Sequence, residues 1–560
     1  MASLAPLTGT LGKRLAKHLL RRTTYSINKS RIEEFSNYTV DQAMTALTTI
    51  PTKNLEQPIH YINGDITAPK PWINDDAIYG AKDVNNGSGN SLLRNYVVGW
   101  WLDEAKRDTS IQSKMAYFLF TDFTASSDTT NGVLGAYYDY LKLLEFFSLG
   151  DWKEFIFQMT KNNIMLFYLN NNQNTNANPN ENYAREVLEL FTIGKGAQAG
   201  AGDYTNYTED DVVETARVMT GWQMTWNGNR GTHRNGAEFG DIPCGYPTPD
   251  RHDFGEKVFS HRFGNYTIPA WNTSGKSTTE KKARMEAELK EFIELVLAQD
   301  ETAKFICRKM YRYFVSRKIT SEIENDIIAP LATTFRANYN LGPTVVQLLK
   351  SQHFYDADDS NNTDEIIGGM IKSPLDLALQ TLSLTNFPVP DPISKGQNHY
   401  KKFYYWQING AIMDPASQAP FIPPSVAGFP PNYEAPDFDK FWFNSSTIIS
   451  RYNMADILLN SSKTTVNFYV SNYIKDIVSN PYDPAVLVGE LIDLFFPEAV
   501  TQERLDYFIN DILLDDSSIT PAMWADEWTT FANTNNRSAV EEPLKDLFRA
   551  LLWSQEYQNN

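Results

Sequence analysis

Apolar side chains return every three to four positions in one segment after another of this chain, over Leu11–Leu20, Thr39–Leu47, Leu92–Ala105, Gln112–Phe120 and Trp152–Met159. That period lines one stripe of an α-helix, so the first two hundred residues are predicted to form amphipathic helices. Asn85–Asn90 and Asn170–Asn180 are rich in Asn and Gly and are predicted to be loops. The period breaks from Met224 to Ile268, where Gly, Pro, Asn and aromatic residues take over; Lys257–Ser260 and Tyr266–Ile268 are the pieces able to pair as strands. Helical spacing resumes over Glu280–Ala298 and Asp300–Ser316. It lapses in the proline-rich stretch Pro415–Pro436 and returns from Ser445 to the end.

The expected fold class is therefore mainly α, a multi-helix globular array with an irregular insert containing a small β hairpin. We expect one extended domain over 1–560 with five lobes: N-terminal helical 1–223, irregular/β insert 224–275, helical 276–414, proline-rich connector 415–440 and C-terminal helical 441–560.

A net charge of -18 disfavours nucleic acid and anionic membrane surfaces as partners. Lys13, Arg14, Lys17, Arg21 and Arg22 form the one dense basic patch, and it reads as the solvated face of the first helix. No apolar run is long enough for a membrane span, and the first ten residues do not read as a signal peptide, so a soluble chain is expected. Cys244 and Cys307 are too few for a disulfide framework or a four-ligand zinc site. Nucleotide chemistry is disfavoured because no phosphate-binding glycine-rich motif occurs.

Two segments carry the chemistry. In Asn180–Phe191, opened by Pro179, a helical wheel puts Tyr183, Ala184, Val187, Leu188, Leu190 and Phe191 on one side. Glu181, Asn182, Arg185, Glu186 and Glu189 fall on the other. The plain reading is a solvated ladder of i,i+4 pairs; the sharper one is a carboxylate centre. In Arg251–Lys257 a His-Asp pair followed by Gly255 can turn an imidazole and a carboxylate into one space, as acid-base catalysis or metal binding needs. A structural role for His252 is the plain alternative there. Trp100, Trp101, Trp222 and Trp226 are read first as core, then as stacking surfaces.

These motifs resemble a bacterial family, the domain of unknown function numbered 1800. The resemblance rests on Asn180–Glu186 with Glu189 and Gly194, on Tyr207-Thr208 leading into Ala216–Trp222, and on Arg251-His252-Asp253 with Gly255 and Lys257. It extends through His18–Arg22, Ala303–Val315, Lys372-Ser373-Pro374, Pro424–Phe429 and Leu551–Tyr557. It implies a mainly helical fold, an exported or cell-envelope setting and a partner from a sulfatase-like family of unknown function numbered 1501. Members often carry a His where this chain has Phe191, which removes one ligand from any metal scheme there. A divalent metal remains open as cofactor.

On this reading the chain is an enzyme of hydrolase or lyase type. Glu186, Glu189, His252, Asp253 and Lys257 are its catalytic candidates, and Asn182, Arg185, Arg251 and Trp222 its binding candidates. The alternative is a non-catalytic binding or assembly protein in which the same residues form a structural polar network, with Arg185 and Arg251 neutralising the carboxylates.

Overall fold

The computed structural model describes residues 2–50, 59–60, 70–71, 88–128, 134–225, 232–358, 366–390, 397–433, 435–436, 438–464, 466–515 and 518–560. The chain is mainly helical, and its four two-stranded sheets are all antiparallel. Each predicted helix forms: Gly12–Thr23, Val40–Thr48, Ser88–Arg107, Gln112–Asp122, Trp152–Thr160, Thr278–Leu297 and Asp300–Phe314. Several start where a side chain takes up a first-turn N–H. Thr39 with Gln42, Thr208 with Asp211 and Ser277 with Glu280 each close a reciprocal capping box. The insert holds the expected hairpin, Lys257–Val258 against Thr267–Ile268.

One apolar core runs from Leu11 to Tyr557. The first helix enters it from Ala16 onward, which corrects the reading of its basic patch. Lys13 and Arg14 are exposed, but Lys17, Arg21 and Arg22 are buried. Each directs part of its donors to backbone far along the chain. Arg21 Nη2 donates to Leu494 O (3.1 Å) and Phe495 O (2.7 Å), and Arg22 Nη2 to Ile366 O (2.7 Å) and Asn560 O (3.1 Å). Carbonyls left free at the ends of late helices thus recruit the cations, a long-range pairing that local periodicity does not encode.

Other readings also shift. Of the loop expected at Asn85–Asn90, Ser88, Gly89 and Asn90 belong to a helix, while 85–87 lie outside the described residues, as does Trp226. The proline-rich stretch contains one four-residue helical turn, Pro430–Tyr433. The Asp356 carboxylate accepts from Ile366 N (3.0 Å) and Ile367 N (2.9 Å). Among the described residues, no helix is long and apolar enough to cross a membrane.

Candidate functional site

The Glu186 helix begins later than Pro179 suggests. Asn180 Oδ1 accepts from Asn182 N, the α-helix runs Asn182–Glu186, and Val187–Phe191 continues as a π-helix. Its faces match the wheel: Tyr183, Ala184, Val187, Leu188 and Phe191 are buried, and Phe191 stacks on Phe123 with ring centres 4.3 Å apart. Asn182 is exposed, and Glu181, Arg185, Glu186 and Glu189 are half-buried.

The i,i+4 ladder is only half built. Arg185 Nη2 pairs with Glu181 (3.1 Å) and also with Glu209 (2.7 Å) on the next helix, to which Nη1 donates as well (3.0 Å). Glu189 accepts from Tyr207 Oη (3.1 Å) and Lys195 Nζ (3.3 Å). Glu186 has neither a hydrogen bond nor an ion pair among the described residues. Burial, and then the adjacent Glu189 carboxylate, push its carboxyl up to about 7 against the pull of Arg185 and Lys195.

That shift has a definite sign. The folded chain holds the Glu186 proton to higher pH than the unfolded chain, so the carboxylate destabilises the fold increasingly as pH rises from 4.5 through about 7. A shift of this size is worth about 3 kcal/mol in a dry site. Solvent reaching a half-buried side chain reduces the expected effect to about 1–2 kcal/mol. Glu186→Gln should therefore gain about that much stability at pH about 8 and almost none at pH about 4.5 in urea unfolding.

The His252 turn is built differently. His252 is buried, and its Nδ1 lies 2.9 Å from Thr220 O and 3.1 Å from Thr220 Oγ. Because a carbonyl only accepts, Nδ1 carries the hydrogen. Asp253 N donates to Thr220 Oγ (2.9 Å), and Thr220 Oγ donates to Arg217 O. The next residue, Gly221 at φ +81°, lets the turn close: a Cβ there would sit 2.8 Å from Thr248 O and 3.0 Å from His252 N.

The far side of the turn meets a carboxylate that the motif reading did not include. Glu288, on the Thr278–Leu297 helix, is buried with its Oε1 2.5 Å from Lys257 Nζ and 3.5 Å from His252 Nε2. The longer distance is at the outer limit of a hydrogen bond and is not aligned as one. Burial alone would raise the Glu288 carboxyl; the His252 hydrogen-bonding contact and the Lys257 charge outweigh it and hold it below its ordinary range. Arg217, not Arg185 or Arg251, neutralises Asp253, at 2.7 Å. Burial would raise the Asp253 carboxyl, and Arg217 with Gly255 N–H brings it below its ordinary range. Arg251 Nη1 donates instead to Gln223 Oε1 (2.7 Å), and Trp222 lies wholly within the core.

Asp211 is a second residue that the motifs did not disclose. Fully buried, it caps its own helix through Thr208, and it also accepts from Ser260 N and Ser260 Oγ, both at 2.7 Å. The insert is thus tied to the helical body at Asp211 and again at Glu288. Among the described residues, no hydrogen bond or ion pair joins Glu186 or Glu189 to His252, Asp253 or Lys257. Nor, among them, is any group of three or more His, Cys, Asp or Glu side chains placed to hold a metal ion. Cys244 and Cys307 are separate buried thiols.

Compared with known proteins, residues 18–559 match the family described as Protein of unknown function (DUF1800). No curated protein and no solved structure matches the chain.

Proposed function

We propose, because this chain belongs to the DUF1800 family and inherits no activity by that name, that it works by binding rather than by turnover, with the His252 turn as the lock that holds the insert to the helical body. The observation that carries this reading is the engagement of the turn's own polar groups. Lys257 is wholly buried against Glu288, His252 Nδ1 is taken up by Thr220, and Asp253 is held by Arg217 and Gly255 N. An acid-base pair has to come within about 3 Å of a substrate proton, directly or through one water. Apart from His252 Nε2, which faces Glu288 at 3.5 Å without an aligned hydrogen bond, these groups are engaged by their own protein in buried surroundings and are better suited to rigidity.

Limited proteolysis with mass-spectrometric mapping, run beside a turnover screen, tests this. His252→Ala should open the insert, so that cleavage between residues 245 and 275 accelerates before the helical body is cut. Wild-type protein should show no turnover of esters, amides, glycosides or uronates above a heat-denatured control. Turnover lost in a folded His252→Asn or Glu186→Gln variant would overturn the reading.

One observation favours the second reading, a hydrolase or lyase acting on an extracytoplasmic substrate. The Glu186 carboxyl is pushed up to about 7 and is half-buried beside Glu189, which is the state of a general acid near neutral pH. In that case Glu186 donates the proton and Glu189 is the charged partner.

A further inference from the structure

The first helix, the Asp300–Phe314 helix and the start of the Pro374–Leu384 helix converge on a cavity that shares no residue with the Glu186 or His252 groups. Its inner chamber, ≈ 30 Å³, is lined by Arg21, Arg22, Lys114, Arg317 and Asp376 among others. An outer chamber of ≈ 140 Å³ adds Lys309, Arg312 and Asp122. Thr121, Tyr313, Arg317 and Asn432 line both, so the two chambers adjoin.

The charges there do not balance. Each carboxylate is taken by a lysine: Asp376 pairs with Lys114, and Asp122 with Lys309. Arg22 is held by the oxygens of Ile366 and Asn560. Arg21, Arg312 and Arg317 have no carboxylate partner among the described residues. Arg21 is 0 % exposed, and its Nε and Nη1 are buried without an acceptor, as are Arg22 Nε, Arg312 Nε, Arg317 Nε and Asn432 Nδ2. Arg312 makes its one contact over the Phe438 ring, at 5.2 Å.

Uncompensated guanidiniums in a dry site cost several kcal/mol, and native proteins do not leave forks of buried N–H donors idle without reason. Burial pulls the Arg21 and Arg22 guanidiniums down to about 10, Arg317 adding to the effect on Arg22. The Pro374–Leu384 helix, capped by Ser373, brings its positive end to the same chamber.

We propose that this cavity is a binding site for a compact oxyanion of the phosphate or sulfate class, free or as the head of a small ester. The guanidinium forks of Arg21 and Arg317 hold the head, and Arg312 stands at the mouth. Guanidinium presents paired donors that match oxyanion geometry. The chamber sizes suit a small head group with a short substituent rather than a nucleotide. Six lining cations against two carboxylates leave a surplus of four, which selects a dianion over a carboxylate. The inference does not depend on whether the His252 turn is a lock.

The test titrates the full chain with sodium phosphate, sodium sulfate or sodium acetate at ionic strength held constant with sodium chloride, read by calorimetry and by thermal unfolding. Phosphate or sulfate should bind at a single saturable site and raise Tm, with acetate at least about tenfold weaker; which dianion binds tighter assigns the class. Arg317→Gln should raise Tm without added anion, because a repulsive buried charge is gone, and weaken anion binding at least about tenfold. A structural arginine would give the opposite sign in the first measurement. Arg312→Gln, nearer the mouth, repeats the binding arm should Arg317→Gln fail to fold. No saturable response to either dianion, or binding unchanged in both variants, would sink the proposal.

Discussion

Glu288→Ala is expected to destabilise the protein by about 3–5 kcal/mol, the usual consequence of removing one partner of a buried ion pair. The reason is what remains. Among the described residues, Lys257 Nζ would keep only the carbonyl oxygens of Asp253 and Gly255 as partners in a fully buried position, and the Arg284 guanidinium, 3.6 Å from the other Glu288 oxygen, would lose that contact too. Urea unfolding measures it as a fall in midpoint with the slope unchanged. The joint replacement Lys257→Met with Glu288→Leu should recover most of the loss, since two apolar side chains of similar volume need no desolvation. A cost for the double variant equal to the sum of the singles would mean that the pair is not coupled.

The acid branch of the stability curve should report the same carboxylate. Glu288 has its folded value held below its unfolded one, so its contribution is full above about pH 4.5 and is lost as pH falls through the folded value. The Glu288→Gln variant should therefore lose stability at neutral pH and show a shallower decline below that point.

Asp211→Ala is the second large effect, expected at about 2–4 kcal/mol. Loss of the reciprocal half of the capping box, in which Asp211 at N3 accepts from Thr208 N, accounts for about 1 kcal/mol of it. The rest comes from buried donors at Thr208 and Ser260 left without an acceptor. Asp211→Asn keeps one oxygen and should cost about half as much. Hydrogen exchange gives the discriminating measurement: protection should fall at Ser260 and across the 257–268 hairpin as well as in the first turn of the Glu209–Val218 helix, because one carboxylate closes both. Loss confined to the helix would show that the tie to the insert carries no energy.

Local signals were readable along this chain, and long-range ones were not. The two strand pieces of the insert are written within a few positions and formed as expected; capping pairs three residues apart, such as Thr39 with Gln42, are equally local. The wheel also sorted Tyr183, Val187 and Phe191 from Glu186 and Glu189 correctly. It did not announce the π-turn at Val187–Phe191, because widening a turn by one residue leaves the apolar spacing nearly unchanged. The basic end of the first helix was misjudged because periodicity tells which residues share a face, not what covers it. Glu288 did leave a trace: it stands among Met285, Leu289 and Phe292 on the apolar stripe of its helix, where a carboxylate has no business unless paired. The i,i+4 rule names one partner, Arg284 at 3.6 Å, but no local rule names the closer one, Lys257.

The grip of Arg22 on Asn560 spans 538 positions, and Arg21 waits for Leu494 and Phe495. A ribosome adding about 5–20 residues per second needs on the order of half a minute to two minutes to cross that interval. Throughout it the opening helix carries an apolar stripe and two arginines whose acceptors have not yet been synthesised. The two arginines therefore reach their folded partners only after several hundred further residues have been added.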